Sequence, residues 1–107
     1  NGVYYLLYSA NDFRSQDYAV GYATSASPFG PWKKYAGNPL LHKVENLVGT
    51  GHGAPFVDGN GKYRYVFHAH KSQTEVNQRN TYIIDMAFSD KNGVSIGGNL
   101  IRPVVVE

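Results

Sequence analysis

Asn60-Gly61-Lys62-Tyr63-Arg64-Tyr65-Val66-Phe67-His68-Ala69 decides the fold, because Asn1-Gly2-Val3-Tyr4-Tyr5-Leu6-Leu7-Tyr8-Ser9-Ala10 carries the same pattern 59 residues earlier. A second stretch, Tyr18-Ala19-Val20-Gly21-Tyr22-Ala23-Thr24-Ser25, matches Tyr82-Ile83-Ile84-Asp85-Met86-Ala87-Phe88-Ser89 at a shift of 64. A third, Pro39-Leu40-Leu41, matches Pro103-Val104-Val105, again at 64. Three matches in one order, at a nearly constant shift, mark the duplication of one supersecondary unit. The change from 59 to 64 predicts a five-residue insertion in the second copy, between Lys71 and Asn80.

Each matched stretch reads as a strand. From Lys62 to His70 the chain alternates, with Tyr63, Tyr65 and Phe67 on one face and Arg64, Val66 and His68 on the other. From Tyr18 to Ser25 the large Tyr18, Val20 and Tyr22 face one way. The small Ala19, Gly21 and Ala23 face the other, where another sheet can approach closely. In Tyr82 to Ser89 the large set is Tyr82, Ile84, Met86 and Phe88. Asp58-Gly59-Asn60-Gly61 is a hairpin signal, since Gly and Asn accept positive φ at little cost. Asp90-Lys91-Asn92-Gly93 and Gly97-Gly98-Asn99 punctuate the second copy, and Pro28-Phe29-Gly30-Pro31 breaks the first before Trp32-Lys33-Lys34-Tyr35. No segment sustains a 3.6-residue apolar period, so an all-β chain with little or no helix is expected.

Composition agrees and excludes several classes. Abundant Tyr, Phe, Gly and β-branched residues suit strands joined by tight turns. A formal charge of +2 is too small and too scattered for a nucleic-acid partner, and no apolar run is long enough for a membrane helix. The absence of cysteine removes disulfide and thiol chemistry. Two four-stranded units make only part of a propeller, which needs four to eight blades to close. The chain is therefore expected to be a piece of a longer protein, or to complete itself by association. A seven-stranded β-sandwich that binds carbohydrate without catalysis is the rival fold, but a sandwich has no reason to repeat at about sixty residues.

Several motifs together resemble glycoside hydrolase family 43. Tyr4-Tyr5-Leu6-Leu7-Tyr8-Ser9-Ala10-Asn11, Tyr18 to Ala23, Ser27-Pro28-Phe29-Gly30-Pro31-Trp32-Lys33 and Gly37-Asn38-Pro39-Leu40-Leu41 are similar to a penultimate blade of that family. Gly49-Thr50-Gly51-His52-Gly53 is similar to the glycine-flanked histidine motif that opens its last blade. The resemblance implies about two four-stranded blades of a five-bladed β-propeller. Residues 1–48 would form a partial penultimate blade lacking its first strand, and residues 49–107 the last blade. It further implies inverting hydrolysis of arabinosyl or xylosyl linkages in plant polysaccharides or oligosaccharides. It favours an extracytoplasmic or secreted location without fixing one.

Inversion needs a carboxylate base, a carboxylic acid and room for a water between them. In the family a further aspartate tunes the acid. The resemblance places all three upstream of Asn1, so no catalytic residue is expected in this chain and the isolated chain is expected to be inactive. The acidic residues present form no self-contained acid–base couple. Asp58 and Asp90 sit in turns, Asp12 and Asp17 flank a polar loop, Asp85 lies on a strand and would need a partner if buried, and Glu45 and Glu75 read as surface residues.

His52 is the leading site residue. Alone, a turn histidine more often bonds backbone than ligand, but its flanking glycines permit close approach. The resemblance implies that it lies at the floor of the sugar site and ligates a calcium ion or its water shell. Arg79 is the second, and the resemblance implies contact with the sugar; an arginine can donate several hydrogen bonds to hydroxyls. The partners implied are the carbohydrate and either the remaining blades or further copies. His68 and His70 share a spacing that can bind metal, yet no third ligand is evident, and a polar strand face accounts for them. Trp32 and the tyrosines can stack on sugars but more often pack between sheets.

Overall fold

Five antiparallel pairings between consecutive strands organise the described residues. The computed structural model describes residues 2–89 and 93–104. Its strands are β1 (Tyr4–Ala10), β2 (Ala19–Ser25), β3 (Lys33–Lys34), β4 (Gly51–Val57), β5 (Tyr63–Ala69), β6 (Asn80–Ser89) and β7 (Gly93–Ile101), with no helix among the described residues. They form two meandering sheets, β1-β2-β3 and β4-β5-β6-β7. This is the all-β arrangement of two propeller blades, with the first sheet one strand short. The Asp90-Lys91-Asn92 part of the expected turn lies outside the described residues, as do Asn1 and Val105 of the matched stretches.

The first match holds residue for residue: β1 and β5 have the same length and stand 59 apart. The second needs correction. Ala10 pairs with Ala19, and Ala69 pairs with Asn80. Asn80 therefore corresponds to Ala19, a separation of 61, and the β5–β6 loop is longer than the β1–β2 loop by two residues, not five. An odd slip of three changes the face of every side chain. Tyr82, Ile84 and Met86 thus correspond to the small Gly21, Ala23 and Ser25, not to the large set around Tyr22. The third stretch is no strand either: Leu41 makes only an isolated bridge to Val20, and Pro103 lies past the end of β7.

Burial follows the corrected faces. Val20, Tyr22 and Leu41 join Tyr65, Phe67, Ala69, Ile84, Met86 and Val94 in one core between the sheets, with Tyr5, Leu7 and Tyr82 packed on it. The opposite face of the first sheet carries Ala19, Gly21 and Ala23, and within this chain a loop rather than a sheet lies against it. Asn38 takes the place of a strand residue there: its Oδ1 accepts from the Tyr22 N–H, and its Nδ2 donates to the Tyr22 carbonyl and the Tyr8 hydroxyl. A Cβ on Gly21 would come within 2.8 Å of the Asn38 side chain.

The β4–β5 hairpin is closed by Asp58, whose Oδ1 accepts from the Asn60 and Lys62 N–H groups. Its Oδ2 pairs with Arg64 Nε at 2.7 Å, while Arg64 Nη1 reaches Asp85 at 2.9 Å and Lys62 reaches the other Asp85 oxygen at 3.1 Å. Asp85 thus has the partners that its strand position demanded, and the staple ties β4, β5 and β6 together at the end away from Gly51.

Candidate functional site

The Gly49–Gly53 segment is shaped by close contacts on both sides. A Cβ on Gly51 would lie 2.4 Å from the Tyr18 ring, and one on Gly53 would lie 2.1 Å from the Val66 carbonyl oxygen. Thr50 is fully buried, with its hydroxyl bonded to the His42 carbonyl. Between Gly51 and Ala54 the register slips, so that one extra residue of β4 opposes β5. Such a bulge re-aims a side chain. The left-handed turn falls on His52 itself, whose φ is 53°, and not on either flanking glycine. The flanking glycines permit close approach, as expected: they admit Tyr18 and the β5 backbone. The His52 N–H donates to Ser9 Oγ at 2.8 Å, fixing the bulge to the end of β1.

So placed, the exposed His52 ring stands edge-on to His68, with centroids 5.3 Å apart. Arg79 completes the group from the loop just before β6, its guanidinium lying over the Phe13 ring at 4.7 Å. Burial pushes the His68 imidazole below its ordinary range, and the charges of Arg79 and then His52 push it the same way. His68 is thus neutral at neutral pH. Two buried polar atoms in the group, His68 Nδ1 and Arg79 Nη1, have no hydrogen-bond partner among the described residues. Such atoms are rare away from functional sites. The structure thus brings the two expected residues together, with His68 between them. His70 does something else: it is buried, and its Nε2 donates to the Phe13 carbonyl at 2.7 Å. The signal for His68 was its pairing with Gly51, which no spacing rule in the sequence displays.

The described carboxylates lie elsewhere. Asp12 is held at about 2 by its bonds to Arg14, and Asp58 at about 2 by Arg64 and the turn amides. The Asn99 N–H and Lys62 lower Asp85. Asp17 pairs with His42 at 3.2 Å and Glu75 with Lys71 at 3.3 Å, while Glu45 is exposed. A general acid needs a raised pKa, and Asp12, Asp58 and Asp85 are all displaced the other way.

A sequence profile of the glycosyl hydrolases family 43 matches residues 1–93. The chain belongs to that family. This family-43 chain is 30% identical over 91 residues to a β-D-galactofuranosidase of Aspergillus niger, covering 84% of this chain and 27% of that protein. An endo-1,4-β-xylanase structure from Bacteroides thetaiotaomicron superposes with a TM-score of 0.96 at 53% identity, over 100% of this chain and 38% of that one. A thermostable family-43 glycoside hydrolase gives 0.84 at 35% identity, over 98% and 34%. The chain thus spans between about a quarter and two fifths of the length of these relatives.

Calcium was expected beside His52. Calcium takes six to eight oxygen ligands. The side chains grouped here offer imidazole nitrogens and a guanidinium, and among the described residues no group of three His, Asp or Glu side chains could hold a metal ion. This chain's own donors among the described residues do not fit such an ion.

Proposed function

We propose that the complete protein carrying this family-43 chain hydrolyses xylosyl or arabinosyl linkages with inversion, and that this chain supplies part of the sugar-binding floor. The reading rests on one observation: His52 and His68 from two strands and Arg79 from the loop before β6 converge and leave two buried polar atoms without partners among the described residues. A sugar hydroxyl both donates and accepts, which suits the exposed His52 ring and the half-buried His68 and Arg79 side chains. His52 closes the group from the bulge. Phe13 orients the arginine by stacking, a contact that also limits its hydration.

The acid, the base and the aspartate that tunes the acid come from other parts of the complete protein in this reading. Support comes from the depressed pKa values of Asp12, Asp58 and Asp85 and from the absence of a described carboxylate in the histidine–arginine group. The xylanase relative favours a xylosyl substrate.

The test is hydrolysis of xylo- and arabino-oligosaccharides by the complete protein, with the anomer of the released sugar followed by NMR. Inverted pentose is expected, and no pentose from either series would overturn the reading. Arg79→Ala is expected to lower kcat/KM about 10- to 100-fold, the range for losing a hydrogen bond to a charged donor. The purified 107-residue chain is expected to release no sugar; measurable release would remove the carboxylates from the rest of the protein.

A further inference from the structure

The loop that delivers Arg79 also walls a second cleft. Lys71, Asn77, Gln78 and Asn80 line a cleft of about 410 Å³, and Arg79 is not among its lining residues. That volume is within the ~300–1,000 Å³ typical of small-molecule sites. The loop is well held. Lys71 N–H donates to the Val76 carbonyl, and Ser72 N–H to the Glu75 carbonyl. Gln16 Nε2 donates to the Gln73 carbonyl at 2.8 Å, which ties the loop to the β1–β2 connection. Against this fixed backbone the carboxamides of Asn77 and Gln78 form no hydrogen bond with any described residue. Asn80 is engaged by Arg102 through its Oδ1, and its Nδ2 is still a free donor.

We propose that this cleft is an additional sugar-binding subsite, which takes a neutral pyranose or furanose unit outside the two units that flank the cleaved bond, while another unit of the same chain occupies the Arg79 group. The proposal rests on the function read above and extends it to longer substrates. Three observations carry it. Carboxamides both donate and accept, which suits neutral hydroxyls. Lys71 is already paired with Glu75 at 3.3 Å, and no carboxylate lines the cleft, so neither an anion nor a cation is favoured. The same pinned loop presents Arg79, with its unpartnered Nη1, to the first group.

The experiment uses the complete enzyme and its N77A/Q78A variant, with xylobiose and xylohexaose as substrates. Each lost neutral hydrogen bond is worth a few-fold in binding. KM for xylohexaose is expected to rise about 5- to 20-fold, while kcat and the xylobiose parameters stay as in the wild type. An equal change on both substrates, or none on xylohexaose, overturns the subsite and leaves the function intact. Wild-type enzyme that cleaves neither substrate overturns both. An unchanged Tm of the variant confirms that it folds.

Discussion

At Gly21, Ala23 and Ser25 the first sheet carries small side chains, whereas the second carries Tyr82, Ile84 and Met86 at the corresponding places. The backbones follow one pattern, and the surroundings differ. In the second sheet the large residues reach across to the first and form the core. In the first, the Asn38-Pro39 loop lies against the small face, and Tyr8, Ala10, Ala19, Gly21, Asn38 and Pro39 help to line a cavity of about 410 Å³. Tyr4 and Leu6, the counterparts of Tyr63 and Tyr65, are 46% and 45% exposed beside it. Duplication kept the strands and let each copy's side chains answer to a different neighbour.

The sharpest way to break this contrast is in the core. Phe67 is 1% exposed, and Phe67→Ala is expected to cost about 3–5 kcal/mol in urea unfolding. Leu6→Ala, on the exposed face, is expected to stay within about 1 kcal/mol, as surface changes do. Equal costs would mean that the two faces are equivalently packed. Next comes Gly53→Ala, which drives a methyl toward the Val66 carbonyl and is expected to cost about 2–3 kcal/mol by overpacking. Gly59→Ala is the control, since nothing lies within 4 Å of its added Cβ. Asn38→Ala removes three hydrogen bonds from the first sheet and is expected to cost about 1–2 kcal/mol, with hydrogen exchange accelerated at Tyr22 but not in β5 or β6. An unaltered Tyr22 amide would deny Asn38 its place in the ladder.

The smallest effects are in pH, and they separate the two ends of the second sheet. The folded pKa of His68 lies below its unfolded value of about 6.5, so the unfolded chain takes up the proton first. Stability is therefore whole above that value and declines as pH falls below it. His68→Gln should abolish this slope. At the opposite end Asp58 has its folded value at about 2, below the ordinary carboxylate value of 3.8. Its contribution is present above the unfolded value and is lost as pH falls from about 4 toward 2. Coincident loss in a single acid transition would contradict the separate assignment.

Sequence reading carried the fold a long way and the site part of the way. The β1–β5 match stands because the Asn-Gly pair and the apolar run that follows it align the two stretches in one register. The β2–β6 match slipped by three because large residues were aligned with large ones, although only strand pairing determines which face they occupy. His52 and Arg79 were legible from a glycine-flanked motif and a resemblance. His68 was passed over because a polar residue on an alternating strand looks like any solvated position. Its neighbours come from a bulge 16 residues away and a loop that follows it, and neither proximity is encoded in local spacing. Asn38 as a substitute strand residue was equally silent, since its function lies in the backbone it touches.

The left-handed backbone at His52 makes one substitution more informative than the rest. Glycine adopts that conformation freely, while a Cβ there carries a cost of about 1–2 kcal/mol. Exchanging His52 for glycine therefore relaxes the chain as it deletes the ring, and leaves an opening the size of an imidazole. Small azoles supplied in the buffer become a way to restore the lost group chemically, so that the ring's contribution can be titrated apart from the shape of the chain that carries it.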